Sequence, residues 1–283
     1  MKRRMFNWLA AGIFLTLGGA ICLPVLMLVS GSLADSLEWE QRAAGYLHDT
    51  QEYIRWHWIP DYPTAEHYRR LLFYSPAFFR LFWNSLGMTA GILLGQLVIA
   101  VPAAWAFAVY RFRGKNLLFS LYVILMLLPF QVTMLSKYLV LQGAGMINTR
   151  WAVVLPAIFS TFPVFLIYRS FAGIPAELLE AARVDGAGEL QSFVRVGLPV
   201  AQGGILAAMI LSFLESWNMM EEPLTFLQDK SLWPLSLYLP EIAMDQAGYA
   251  CGASVITLTV SLFVFAIFHD ALEQGIITSG LKA

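Results

Sequence analysis

The chain has 283 residues, of which 58% are hydrophobic and only 13% charged, against about 45–50% and about 25% in an average soluble domain. So few charges cannot clothe a soluble globule of this size, and a formal net charge of -1 excludes the basic footprint of a nucleic-acid binder. Two cysteines exclude a disulfide scaffold, and six uncharged blocks totalling 137 residues predict membrane spans, which need about 20 residues each.

Residues 1–8 hold Lys2, Arg3 and Arg4 and are expected to form a short cytoplasmic N-terminus. Ser32, Leu33 and Ala34 imitate a signal cleavage site, but the apolar run from Leu9 to Ser30 has 22 residues, beyond the about 7–15 of a signal core. Residues 9–30 therefore read as an uncleaved first transmembrane helix. Residues 31–80 form an external segment rich in aromatics, among them Trp39, Tyr53, Trp56, Trp58 and Tyr68. It is either a small folded cap or an interfacial aromatic belt.

Residues 81–283 read as a five-helix core. Its second span covers 81–110 and ends at the basic turn Arg111 to Lys115. The third, 116–136, contains Pro129 and leads through Gln131 and Met134 to Lys137, whose spacing of three puts them on one helix face. The fourth, 151–168, contains Pro156 and Pro163, and the fifth, 196–214, leads to Ser212, Glu215, Trp217 and Asn218. The sixth, 246–268, carries Ser254, Thr257 and Ser261 on one face. Each mid-span proline removes a backbone hydrogen bond and bends its helix, which a bundle uses to open a cavity. Hydroxyls inside spans are ordinary helix-packing groups. Glu215 and Lys137 differ, because a charge at the bilayer centre costs about 2.5–3.5 kcal/mol even on the gentler scales; both stand near span ends, where reaching for the interface is the competing explanation.

Alternation from a cytoplasmic N-terminus puts 111–116, 169–202 and 269–283 inside, so both termini are expected in the cytoplasm. Together with the N-terminus these inside segments hold ten Lys and Arg, while the considerably longer outside segments hold seven. That density difference follows the positive-inside rule.

The loop 173–199 carries the most specific pattern. From Ile174 to Ala187 it reads IPAELLEAARVDGA, with Leu198-Pro199 further on. Pro175 suits a first helical turn, Glu177 favours the positive dipole end, and Gly186 supplies a turn. Ala181 and Ala182 leave a low-relief surface that another protein can approach closely. The order Glu180-Ala181-Ala182, three residues, Gly186, then Leu198-Pro199 before a span resembles the EAA loop of ABC importer permeases. The flanking tracts make the chain similar to the carbohydrate-uptake branch, in particular the second permease subunit of maltose-type systems. Those tracts are Ile59-Pro60 to Tyr68, Asn84-Ser85, Leu128-Pro129, Ile147-Asn148-Thr149, Trp217-Asn218, Pro223-Leu224 and Gly275 to Lys282. Departures from the family pattern are Ile256-Thr257 where a mid-helix proline is usual, His269-Asp270 where a Gln-Arg pair is common, and a longer external segment over 31–58.

The resemblance implies an all-α integral membrane protein with six transmembrane helices, a type I ABC importer permease bundle, multi-pass in the cell membrane. It implies a cytoplasmic coupling helix in which Glu180, Ala181, Ala182, Asp185 and Gly186, with Leu198 and Pro199 restarting the next span, dock on an ATPase. The implied partners are a second permease subunit, two ATPase subunits, an extracytoplasmic solute-binding protein and membrane lipid. No cofactor is implied in this chain, ATP and Mg belonging to the partner subunits, and no Gly-x-x-x-x-Gly-Lys-Ser/Thr loop occurs here. Ser212, Glu215, Trp217, Asn218, Gln131 and Lys137 are then candidates for the substrate pathway, Trp217 stacking on a sugar ring. Competing readings are an ion-coupled transporter built on Glu215 and Lys137, a membrane-embedded enzyme, and a permease of the same class for a non-carbohydrate solute.

Overall fold

The computed structural model describes residues 2–47, 58–239, 242 and 246–280. Among them the chain is helical, with one antiparallel bridge between Ala34 and Pro63 and no sheet. Tyr53, Trp56 and Lys282 lie outside the described residues. The chain divides into two compact units, residues 1–79 with 238–260, and residues 80–237 with 261–283.

The first unit holds α1 (Lys2–Leu33), α2 (Ser36–Leu47), the one-turn α3 (Glu66–Arg69) that widens into a π turn over Arg70–Tyr74, and the start of α14 (Ala247–Gly280). Large apolar side chains of α1 from Ile13 to Leu26 are exposed, as a lipid-facing span requires. Beyond α1 the aromatic segment is a folded cap rather than only a belt. Trp39 Nε1 donates to the Gly31 carbonyl at 2.9 Å, Ser32 and Tyr68 share a hydroxyl bond of 2.6 Å, and His67 Nε2 meets the Ala34 carbonyl at 2.9 Å. Trp58 and Tyr62 remain exposed.

The second unit is entered through α4 (Pro76–Val109), followed by α5 (Lys115–Met126), α6 (Phe130–Gly143), α7 (Arg150–Ile158) and α8 (Thr161–Ala172). Then come the short helices α9 (Ala176–Val184) and α10 (Glu189–Ser192), a π turn over Phe193–Gly197, and α11 (Leu198–Trp217). After α11 the chain adds α12 (Glu221–Phe226), a 3₁₀ turn at Lys230–Leu232 and α13 (Leu235–Tyr238).

Among the described residues, five segments are long and apolar enough to cross a membrane: Ala11–Leu33, Pro76–Val109, Arg150–Ala172, Glu189–Trp217 and Ala247–Asp270. The pair α5 and α6 makes the sixth if it is counted as one span, but it bends by 104°. The block 116–136 is therefore not the single straight span its composition suggests. Pro129 has no amide proton to continue the helix and disfavours helical backbone at Leu128, so α5 stops and Pro129 restarts the chain as the N-cap of α6. A second correction concerns Leu198-Pro199. They do not open the fifth span, because helical backbone already runs into them from Glu189 through the π turn.

One apolar core joins α4, α8 and α11, with Ala100, Ala104, Trp105, Ile167, Phe171 and Ala208 buried. Lipid is as apolar as these side chains, so association depends on close fit rather than on escape from water. Small residues supply the fit. A Cβ on Gly204 would lie 2.6 Å from Ser170 Cβ, and one on Gly197 would lie 3.0 Å from Trp105 Cε3. Gly204→Ala is expected to destabilise the detergent-solubilised protein by about 1–3 kcal/mol, the usual cost of overpacking. Adding Ser170→Gly should restore most of the loss in thermal unfolding. An unchanged midpoint in the single variant would show that α8 and α11 are not held this close.

Candidate functional site

Two features stand out in the second unit. At one end of α11 lies the short helix α9. At the other lies a cavity of about 400 Å³, within the about 300–1,000 Å³ typical of small-ligand pockets.

Helix α9 is exposed at Glu180, Ala181, Asp185 and Gly186, and half-buried at Ala182. Leu178 and Val184 also face outward, while Leu179 packs on the core of α4, α8 and α11. The helix ends as the turn chemistry dictates. Gly186 has φ +82, its N–H donates to the Arg183 carbonyl, and the Ala187 N–H donates to the Ala182 carbonyl. This pairing is a Schellman closure, in which glycine avoids the Cβ penalty of left-handed backbone. Arg183 and Glu189 meet at 3.3 Å across the turn and set the angle at which α9 leaves α10. Leu198 is half-buried and Pro199 exposed at the head of α11.

The cavity draws on α4, α6, α11 and both helix breaks. Leu128, between α5 and α6, and Phe159 and Ser160, between α7 and α8, line it. Non-helical backbone at membrane depth is tolerated where it faces a cavity or protein, because lipid cannot satisfy its amides and carbonyls. Of the residues singled out from sequence, Lys137, Ser212 and Glu215 line the cavity together. Lys137 Nζ lies 3.7 Å from Glu222 Oε1 and 5.2 Å from the centre of the Phe130 ring.

The other three candidates lie elsewhere. Trp217 is only 1% exposed; its ring stacks on Phe213 at 5.8 Å and meets Phe82 edge-on at 6.0 Å, so it has no face left for a sugar. Asn218 caps α11, its Nδ2 donating to the Leu214 carbonyl at 2.8 Å. Gln131 Nε2 donates to Glu221 Oε1 at 2.9 Å. The face carrying Gln131, Met134 and Lys137 is thus real, but much of it serves the seam with α12, where Thr225 also reaches the Met134 sulfur at 3.7 Å.

Sequence reasoning passed over Gln96, Ser216 and Glu222, which line the cavity. Gln96 carried a signal, being the lone amide in the uncharged stretch 86–110. It is buried, its Nε2 donates to the Ala157 carbonyl at 3.0 Å, and its Oε1 has no partner.

The rim at the cavity end of α11 explains two of the sequence tracts. Asn84 Nδ2 donates to the carbonyls of Ser231 and Trp233 at 2.8 and 3.0 Å, and its Oδ1 accepts from Arg150 Nη2 at 2.6 Å. Ser85 Oγ accepts from the Leu235 N–H at 2.7 Å. Asn148, at φ 61, accepts from the Gln228 and Asp229 N–H groups at 3.0 and 2.8 Å. These bonds clasp the outer loops to α4 and α7.

Long apolar helices, a cavity lined by broken ones and an exposed helix rooted in the same core together define a polytopic membrane permease. A family model described as the binding-protein-dependent transport system inner membrane component matches residues 87–278, and the chain belongs to that family. It is 27% identical over 288 residues to the arabinooligosaccharides transport system permease protein AraQ of Halalkalibacterium halodurans, covering 100% of both chains. It is 31% identical to the sn-glycerol-3-phosphate transport system permease protein UgpE of Brucella melitensis, covering 77% of this chain and 82% of that one. Among solved structures, a chain of a bacterial ABC transporter involved in the import of the acidic polysaccharide alginate superposes with TM-score 0.80 at 20% identity, covering 94% of this chain and 96% of that one. The fold is that of a type I ABC importer permease.

The placement of side chains separates Glu215 from Asn218. If Glu215 accepts a hydrogen bond from solute, Glu215→Gln loses about 1.5–3 kcal/mol, which is about ten- to a hundredfold in the half-saturation for uptake. Asn218→Ala, which touches only its own helix end, should stay near wild type. Wild-type uptake in both would return the Glu215 face to helix packing.

Proposed function

We propose that this chain is the permease subunit of an ATP-driven importer that moves a sugar, oligosaccharide or polyol inward by alternating access. The observation that carries the reading is the continuity of one element: α9 is rooted through Leu179 in the core of α4, α8 and α11, and α11 bears the cavity residues Ser212, Glu215 and Ser216 at its far end. Twenty residues of α-helix span about 30 Å, so a displacement at α9 reaches the cavity through a stiff rod. Relatives named for arabinooligosaccharides and for sn-glycerol-3-phosphate support a polyhydroxy solute.

In this reading α9 is the coupling helix, in the cytoplasm with both termini, and Glu180, Ala181, Ala182, Asp185 and Gly186 meet an ATPase subunit. Leu178 and Val184, apolar and exposed on the same helix, fill a groove on that partner. Two ATPase subunits bind ATP and Mg and supply the closing motion. A second permease completes the pathway, lipid covers the outward apolar faces, and an extracytoplasmic binding protein delivers solute at the rim clasped by Asn84 and Asn148. A solute gradient is built only if the cavity opens to one side at a time, each state being favoured by a different ligand of the assembly.

The test of coupling is Gly186→Val. A β-branched residue at φ +82 is strained by about 1–3 kcal/mol, so the Schellman turn should open and re-aim α9. Uptake and co-purification of the ATPase should fall while membrane insertion persists; unchanged uptake with unchanged ATPase binding would overturn the coupling role. Orientation is tested separately, with Asp61→Cys and Gln191→Cys in a background lacking Cys22 and Cys251. An impermeant thiol reagent should reach them from opposite sides of the membrane, and labelling of both from one side would refute the topology.

A further inference from the structure

The cavity next to Glu215 has a chemical bias that its relatives' names do not disclose. Several of the donors around it are already engaged. Ser216 Oγ donates to the Ser212 carbonyl at 2.7 Å, Thr133 Oγ1 donates to the Phe130 carbonyl at 3.1 Å, and the Gln96 amide nitrogen is held by Ala157. Beside the hydroxyls of Ser160 and Thr161, the acceptors on offer are the carboxylates of Glu215 and Glu222, and Gln96 Oε1, which is buried without a partner. Ser212 Oγ is buried and unpartnered too, and it can donate or accept.

Charge points the same way. Among the described residues lining the cavity, two carboxylates face a single ammonium, Lys137. That ammonium lies 3.7 Å from Glu222 and over the Phe130 ring, so its charge is largely balanced before any solute arrives. An anionic solute would bring more lone pairs to a wall of acceptors and a second negative charge to an acidic pocket. A hydroxyl-rich solute brings donors to those acceptors and adds no charge.

We infer that this cavity discriminates by charge, taking an uncharged, hydroxyl-rich solute and excluding one that carries a carboxylate or phosphate. The inference rests on the transport reading above and names the solute class within it. Glu215 and Glu222 are the specificity-determining pair, and Lys137 is a positioning residue that holds Glu222 against the rim.

The test reads the cavity's charge without requiring the natural solute. Thr133→Cys, and independently Ser160→Cys, are made in the assembled transporter lacking Cys22 and Cys251. Each is labelled in membrane vesicles with neutral, anionic and cationic methanethiosulfonates of similar size, with rates normalised to a free thiol in solution. Focusing in an acidic cleft raises local cation concentration by about tenfold or more, so the cationic reagent should outpace the anionic one by at least that factor, with the neutral reagent between. Glu222→Gln alone should bring the ratio close to one, and Glu215→Gln with Glu222→Gln, which leaves the Lys137 ammonium unopposed, should favour the anionic reagent. A ratio at or below one at both positions, or one unmoved by the double substitution, would overturn the inference while ATP-driven uptake still stood. Absence of uptake in vesicles that show the expected ratio would instead overturn the transport reading.

Discussion

How closely α11 can approach α8 and α4 decides the rest of this molecule. In lipid there is little hydrophobic reward for bringing helices together, so van der Waals contact between well-fitted surfaces has to hold them. Gly197 beneath the Trp105 ring and Gly204 against Ser170 allow that contact. The ring of Trp105 then meets Phe171 at 5.2 Å and Phe193 at 5.4 Å. Because Phe193 belongs to the π turn that feeds α11, and Leu179 of α9 packs on the same cluster, the close approach also fixes α9. A looser core would leave α9 as a tethered amphipathic helix with no mechanical path to the cavity.

The second constraint is the need of backbone amides and carbonyls for partners at membrane depth. Both interruptions inside apolar segments, at 127–129 and at 159–160, fall on the cavity wall. The freed groups find partners in tightened turns: Leu127 donates to the Ile124 carbonyl, Leu128 to Leu125, and Ser160 to Ala157. Proline thus shapes the cavity twice over. It ends α5 ahead of Pro129, and at Pro156, which lines the cavity, it leaves the Ala152 carbonyl without its helical amide partner.

Much of this was legible in sequence because it depends on composition and local geometry. Uncharged blocks located the long helices, and Gly186 announced a left-handed turn that the φ of +82 bears out. Legibility failed where the outcome depended on which side of a helix meets a distant neighbour. Trp217 reads as an aromatic beside a polar face, and only the arrival of Phe82 from α4 shows that it is spent on packing. Gln131 and Asn218 read as pathway groups by spacing, yet each is satisfied by a partner that spacing cannot reveal. Gln96 and Glu222 escaped for the opposite reason, one being a lone amide in an apolar run and the other lying beyond its span. Asn148 shows a third kind of gap: its tract is visible, but its use of φ 61 to offer one oxygen to two amides appears only with the loop in place.

The two ends of α11 are fixed by different physics. At the α9 end the fit is apolar and shape-determined, through glycines beneath Trp105 and Ser170. At the cavity end it is directional: Ser236 Oγ donates to the Met219 carbonyl at 2.7 Å, Trp217 is wedged between Phe82 and Phe213, and Asn84 ties the following loop to α4. A helix pinned at both ends to the same neighbours is stiff against bending, so α4, α8 and α11 should move as one body when α9 is displaced. Compliance must then come from elements joined to that body by fewer bonds. The α5–α6 break, bent by 104° and coupled to α12 through Gln131 and Lys137 rather than through a glycine-fitted core, is the part of the cavity wall best able to yield. In the proposed cycle, solute selection by Glu215 would sit on the rigid side of the cavity, and the change in access would be carried by the side built on Phe130, Thr133 and Lys137.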